Sequence, residues 1–335
     1  MTDAGRIVSI WRYPVKSMAG ERLQSAEIGE LGLHADRTWA VRDVESGATT
    51  SAKRLPGLMW CTARYASPPP PQAGPGHAPE VLIGFPDGQE MSSADPAIHR
   101  ALSTYVDREV ELRPLPPMSD RDQYRAPMAT KADLRAIFGL GPDEPLPDLS
   151  MFPVRKLAEI TRYTTPLGSY VDAYPVHLLT RQALQTMAGF TGGSDFDVRR
   201  FRPTILIDAP VGSPQPELDW CGGILHAPQA DLAPMIPTIR CVMPSHSQPG
   251  LDRDPAVTRT IAAHSRRCLG VYGTVAKPGR IAEGDTLRLD PPARSVVSAT
   301  ADSAAGSLKR SLMRGVSALL PRGFDRAADT RREVG

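Results

Sequence analysis

Thr238-Ile239-Arg240-Cys241 closes an apolar run that begins at Ala233, and it puts a thiol directly after a permanently charged guanidinium. The run reads as β-like. It is one of many short, β-branched apolar runs in a chain with 34 prolines and 28 glycines, a pattern that means short strands joined by turns. Two readings of Cys241 stay open locally. It is a small buried hydrophobe, or a thiolate that the neighbouring cation favours and a soft metal could use.

Outward from that stretch, strands are expected at Thr238–Met243, 6–12, Arg37–Arg42, Ala48–Ala52, Val81–Phe85 and Glu109–Leu112. Further strands are expected at Val176–Leu179, Thr204–Ile207, Leu225–His226, Val271–Ala276 and Thr286–Leu289. The turn Pro86-Asp87-Gly88-Gln89 makes a hairpin after Phe85. Helical spacing marks Asp95–Val106 and a short helix over Lys131–Phe138. Thr180 caps another helix running through Met187, its hydroxyl accepting from the free amides of the first turn. Residues 66–80 are too rich in proline and glycine for regular structure and read as a mobile loop. The expected class is strand-rich α+β with barrel-like architecture. Residues 1–125 read as a smaller β-barrel-like or mixed region, 126–150 as a connector, 151–290 as a β-barrel domain, and 291–335 as a basic tail.

At 335 residues and a net charge of +2, nothing suggests nucleic-acid binding. From Pro291 onward there are eight Lys/Arg against four Asp/Glu, which leaves 31 against 33 before it, so the basicity belongs to the tail. No apolar run is long enough for a transmembrane helix. The first residues lack the features of a signal peptide, and a cytoplasmic protein is expected. Cys61, Cys221, Cys241 and Cys268 are widely spaced, which argues against a zinc site, an iron–sulfur cluster or a disulfide framework. The three other than Cys241 read as packing cysteines.

Four cations sit beside apolar stretches, where a charge is costly to bury unpaired: Lys16, Arg37, Arg202 and Arg240. Each alone is a rim residue or an ion-pair partner. Converging on Cys241, they would make a pocket for an anionic ligand that carries a soft metal. Composition does not establish that convergence.

Several stretches occur in the order of a known family: Tyr13-Pro14-Val15-Lys16-Ser17, Leu31-Gly32-Leu33, Asp36-Arg37-Thr38-Trp39, Asp172-Ala173-Tyr174-Pro175 and Leu178-Leu179-Thr180. They continue with Arg200-Phe201-Arg202-Pro203, Leu218-Asp219-Trp220, Arg240-Cys241, Gly270-Val271-Tyr272, Pro278-Gly279 and Gly284-Asp285. With these motifs the chain resembles the MOSC family (molybdenum cofactor sulfurase C-terminal domain), in the two-part form with a MOSC N-terminal β-barrel region, similar to amidoxime-reducing components. The resemblance implies a molybdenum–molybdopterin cofactor with Cys241 as catalytic residue and metal ligand. Lys16, Ser17, Arg37, Arg202, Thr204 and Arg240 would hold pterin and phosphate, and Tyr272 would line the site. Pyridoxal phosphate binding also travels with the family.

The activity implied is reduction of small N-hydroxylated compounds such as amidoximes, hydroxylamines and N-hydroxylated bases. The chain lacks the clustered cysteines of a fused ferredoxin-like domain. Its electrons would therefore come from a separate donor (ferredoxin, flavodoxin or cytochrome b5-like) and its reductase. The rival reading is a non-catalytic carrier of the cofactor or of sulfur. Three positions depart from the family pattern: Thr204 replaces a common asparagine, Ala173 and Tyr174 replace small hydroxylated residues, and Ser245–Gly250 replaces an acidic stretch. His246 and His264 are candidate proton donors by residue type but read first as surface or structural histidines. In the tail, Leu308, Leu312, Val316, Leu319 and Leu320 recur at helical spacing beside Lys309, Arg310 and Arg314. That stripe predicts a basic amphipathic helix over 305–320, either docked on the body or in contact with a membrane surface or an acidic partner.

Overall fold

In a computed structural model of the chain, residues 1–127 and 129–292 are described. The expected helix at 305–320 lies outside them. Among the described residues no helix is long and apolar enough to cross a membrane.

The first half contains β1 (Thr2–Arg12), β2 (Glu21–Leu23), β3 (Ser25–Gly29), β4 (Gly32–Leu33), β5 (Trp39–Asp43), β6 (Thr62–Tyr65), β7 (Val81–Gly84) and β8 (Glu90–Ser92). It ends with α1 (Ile98–Val106) and β9 (Val110–Pro114). Then come α2 (Lys131–Phe138), α3 (Val154–Arg162), β10 (Val176–Thr180), α4 (Arg181–Gly189), β11 (Ile205–Asp208) and β12 (Ile224–His226). The last elements are β13 (Asp231–Ile239), α5 (Pro255–Ser265), β14 (Cys268–Lys277), β15 (Gly279–Ala282) and β16 (Thr286–Asp290). This is the strand-rich α+β class.

A closed barrel runs β11-β10-β14-β13-β12-β16-β1, and β1 returns to β11 to complete the ring. The barrel therefore does not lie within 151–290, because its closing strand comes from the first residues of the chain. β1 pairs with β16 through Thr2–Arg6 and with β11 through Arg6–Ile10, and its end pairs with β2. So long a strand must bend to follow the wall, and it does so at two register shifts. Gly5 sits at one of them with φ +107, and a Cβ there would lie 2.0 Å from the Asp208 carbonyl oxygen, so only glycine fits.

β10 and β11 are parallel and joined by α4, the connection a parallel pair needs. Thr180 caps α4 as expected, its hydroxyl accepting from Ala183 N–H at 3.1 Å. β10 is buried at every residue because both faces are covered. Leu178 points into the barrel core with Val176, Ile205, Val271 and Leu287, while Leu179 points into a second core under α4 and α5 with Leu184, Phe201 and Ile261.

The first half has its own core around Val41, Leu58, Ile83, Leu102 and Leu112. The hairpin of β7 and β8 forms as predicted. The strand expected at Ala48–Ala52 reduces to a single bridge between Arg42 and Thr49. Met243 and Cys241 pack against this first core although they follow a barrel strand. Cys241 thus lies at the seam between two cores.

The strand expected at Thr238–Met243 is displaced. β13 begins at Asp231 and ends at Ile239, and Met243–Ser245 forms a 3-10 turn. Beyond β13 the amides find partners outside the sheet: Arg240 N–H donates to Arg267 O at 2.7 Å and Val242 N–H to Ile137 O at 2.9 Å. Cys241 therefore leaves the ladder at the end of the barrel. The end of the connector and the residues after it pack there, with Leu149, Phe152 and Leu157 in one cluster with Tyr174 and Ile236.

Candidate functional site

Arg202 and Arg37 are held by the same device. Each has φ of 51, in the left-handed region that costs a non-glycine residue about 1–3 kcal/mol. Their guanidinium carbons sit 4.1 Å and 4.7 Å from the centre of the Tyr13 ring. Arg37 is ion-paired with Asp36, which also accepts the Tyr13 amide at 2.7 Å. Arg202 has no such partner, and its Nη2 is buried without a hydrogen bond. Burial, with Arg37 adding repulsion, lowers its pKa to about 10, while Tyr13 and Asp36 partly offset this.

Arg240 is fixed from two sides. Its Nη2 donates to Phe201 O at 3.0 Å, and its Nη1 points at His177 Nε2 at 3.4 Å. Its Nε is buried with no partner. Burial and the charge of Arg240 push His177 well below the ordinary histidine range, so it is neutral and can accept. Gly270 makes room for that ring, because a Cβ there would lie 2.4 Å from His177 Nε2.

Lys16 is buried and donates to Tyr170 O at 2.8 Å and to Asp172 Oδ1 at 2.6 Å. Burial lowers it to about 8, against the pull of Asp172. The other oxygen of Asp172 accepts from Lys53 Nζ at 2.9 Å. Burial would raise Asp172, but Lys16 and Lys53 together hold it well below the usual carboxylate range. Ser17, with φ 74, accepts the Ala52 amide at 2.9 Å. Thr204 accepts the His177 amide at 3.1 Å. Each hydroxyl oxygen is thus already engaged and keeps its O–H to donate. Tyr272 stacks on Tyr174 at 5.7 Å, and burial pushes it up to about 12.

Behind them stand Tyr13 and Asp36, and the cations, Asp172, Ser17, His177, Thr204, Tyr174 and Tyr272 line one cavity of about 310 Å³ at the seam, together with Cys241. The structure brings together Lys16, Ser17, Arg37, Arg202, Thr204, Arg240, Cys241 and Tyr272, every residue singled out as a cofactor or metal ligand. Lys16, Arg37, Lys53, Arg200, Arg202 and Arg240 face it against one carboxylate, Asp172. Such an imbalance, with two buried guanidinium nitrogens unpaired, is costly unless an anion completes it.

The four cysteines divide cleanly. Cys61, Cys221 and Cys268 are raised by burial to about 12, 11 and 11, while Cys241 alone lines the cavity. His264 stacks on Phe190 at 3.9 Å, and neither it nor His246 lines the cavity. Lys53, His177 and the two-sided clamp on Tyr13 escaped the sequence. Lys53 owes its place to Asp172, far along the chain, and no local pattern marks that. Ile137, Phe138 and Leu149 of the connector, with Phe152 and Ile160 just beyond it, form the remaining wall.

Among the described residues no three His, Cys, Asp or Glu side chains cluster where they could hold a metal. A metal at Cys241 must then bring most of its ligands with it. The thiol, the cationic wall and the unpaired guanidinium nitrogens fit a metal held in an anionic organic group.

The description of the MOSC N-terminal beta barrel domain matches residues 4–91, and that of the MOSC domain matches residues 168–288. No curated protein sequence matches the chain. Among solved structures, the YUAD protein from Bacillus subtilis is similar at 10% identity and TM-score 0.37, over 85% of this chain and 94% of that one.

Proposed function

The chain belongs to the MOSC family, whose domains are associated with molybdenum-cofactor-binding proteins, and from that premise we propose that it binds a molybdenum–molybdopterin cofactor and reduces small N-hydroxylated compounds. One observation carries the reading: the thiol of Cys241 shares a cavity with unpaired Arg202 Nη2 and Arg240 Nε. When bound, the cofactor supplies the two-electron exchange with the N–O bond, using electrons from a separate redox protein.

The chain's own residues do the rest. Cys241 holds the metal as a thiolate, the softest ligand available here. Arg202 and Arg240 donate to phosphate or pterin oxygens with nitrogens that have no other partner. Arg37, pinned by Asp36, keeps the Tyr13 ring and Arg202 in place. Neutral His177 orients Arg240, and Ser17 and Thr204 can give their free O–H groups to the same ligand. Lys16 adds positive charge near neutral pH. The wall built by 149–164 limits access of water.

The test is metal and pterin analysis of protein from molybdenum-replete cells, followed by turnover of an amidoxime with a reduced donor. The reading expects molybdenum and a fluorescent pterin on oxidation, both lost in Cys241→Ala. Wild-type protein carrying neither, or a Cys241→Ala variant with full reductase activity, overturns it. Stoichiometric transfer of cofactor to an apo-enzyme without turnover would identify a carrier instead.

A further inference from the structure

Beside the cavity of Cys241 lies a second one, of about 460 Å³. The two share one wall, formed by Lys16, Lys53, Ile137, Ile160, Thr164 and Asp172. Asp172 is the centre of that wall, with one oxygen on Lys16 and the other on Lys53.

The two chambers differ in charge. The first is strongly cationic. In the second, each lining cation already has a carboxylate: Arg54 is 2.9 Å from Asp133, Arg108 is bound to Asp43 and Glu45, and the two lysines hold Asp172. The remaining surface includes the hydroxyl residues Thr49 and Ser51 and apolar Leu55. A ligand with net charge would lose its hydration here without finding a free counter-charge. An uncharged ligand with hydrogen-bonding groups would lose less and could use the hydroxyls. Lys53 has one further property. Its ammonium has three donors and spends one on Asp172, while its side chain keeps 19% of its exposure.

We propose that this second cavity is the substrate site, that it takes uncharged N-hydroxylated molecules in preference to cationic ones, and that Lys53 donates a hydrogen bond to the N–O oxygen at the shared wall. The inference rests on reading the first cavity as the cofactor site. It places the reacting end of the substrate at the border with the cavity that Cys241 lines and the rest of the molecule among Thr49, Ser51 and Leu55. Lys53 then positions the substrate from a side chain that lines both chambers.

The test is calorimetric binding, without turnover, of benzamidoxime (uncharged at neutral pH) and of an N-hydroxyguanidinium of similar size to the full chain. Molybdenum and pterin are measured on the same samples. The amidoxime is expected to bind at least about tenfold more tightly, and Lys53→Met to weaken it by about tenfold, the effect of one charged hydrogen bond. Thr49→Trp, which fills the chamber, should weaken it by about tenfold or more with melting temperature and molybdenum content unchanged. If that variant does not fold, Thr49→Leu should give a smaller loss in the same direction.

Equal binding of the two probes overturns the proposal, as does full affinity in the Thr49 variants. Amidoxime binding abolished by Cys241→Ala and untouched at Thr49 would put the substrate in the first cavity and also overturn it. Protein without molybdenum or pterin defeats the cofactor reading alone, because the calorimetry still reads the second chamber directly.

Discussion

Replacing Arg202 with methionine should stabilise the cofactor-free protein while abolishing cofactor retention. The guanidinium is held in the left-handed region beside Arg37, with Nη2 unpaired. Burial is the main reason its pKa falls from the ordinary 12.5 to about 10. At neutral pH the side chain is charged in both folded and unfolded chains, so the whole penalty falls on the folded state, about 3 kcal/mol at 1.36 kcal/mol per tenfold. Residual exposure to the cavity and the contact with Tyr13, worth about 1 kcal/mol, reduce the net gain to about 1–2 kcal/mol. Methionine keeps most of the volume and none of the charge. Denaturant unfolding at pH 7 and low salt, on protein from molybdenum-starved cells, reads the stability, and metal analysis on replete cells reads retention. A variant destabilised by more than about 1 kcal/mol would make Arg202 a structural residue. One that still carried molybdenum would remove it from the cofactor site.

Three further outcomes are expected. Glu217 is fully buried against Thr180, and burial pushes it from 4.5 up to about 7, so the folded state holds its proton more tightly. Stability should therefore fall by about 3 kcal/mol as pH rises from about 4.5 to about 7. Glu217→Gln should lose that component, and unfolding curves of equal slope in both proteins would refute it. Gly270→Ala puts a Cβ at φ +79, 2.4 Å from His177 Nε2 and 2.7 Å from Leu178 O. It should cost more than about 2 kcal/mol and lower molybdenum content, since His177 orients Arg240; a wild-type melting curve would show that the strand gives way instead. Lys16, held at about 8 by burial, loses its charge as pH rises through that value. Sulfate, which does not titrate, should bind more weakly at pH 9 than at pH 7, and Lys16→Met should bind it weakly at both; a wild-type affinity flat across that range would contradict the role of Lys16.

What was legible from sequence follows from range of interaction. The buried run Val176–Thr180 and its threonine cap were readable because periodicity and capping are local, and α2 came out at Lys131–Phe138 for the same reason. The end of β13 was misplaced because strand propensity continues past Ile239. What stops the strand is the capture of the Arg240 and Val242 amides by Arg267 and Ile137. The connector was polar and proline-broken, features that mark a boundary and equally a wall fitted over a cavity. Lys16, Arg37, Arg202, Arg240 and Cys241 were found through ordered motifs. Lys53 needed Asp172, 119 positions away, to acquire meaning.

The closing strand of the barrel also sets a timetable. Thr2 pairs with Leu289, so the ring cannot shut until almost the whole described chain has been made. Contacts of such separation are slow to form. The first-half core, built from 15–112 apart from Met243, can condense while the rest is still being synthesised. The seam that contains Cys241 is delimited by both cores, and so it is among the last features to appear. By then α2 and α3 already contribute Leu134, Ile137, Phe138 and Ile160 to the cavity wall, so a ligand would meet a finished chamber and not an open ribbon of strands.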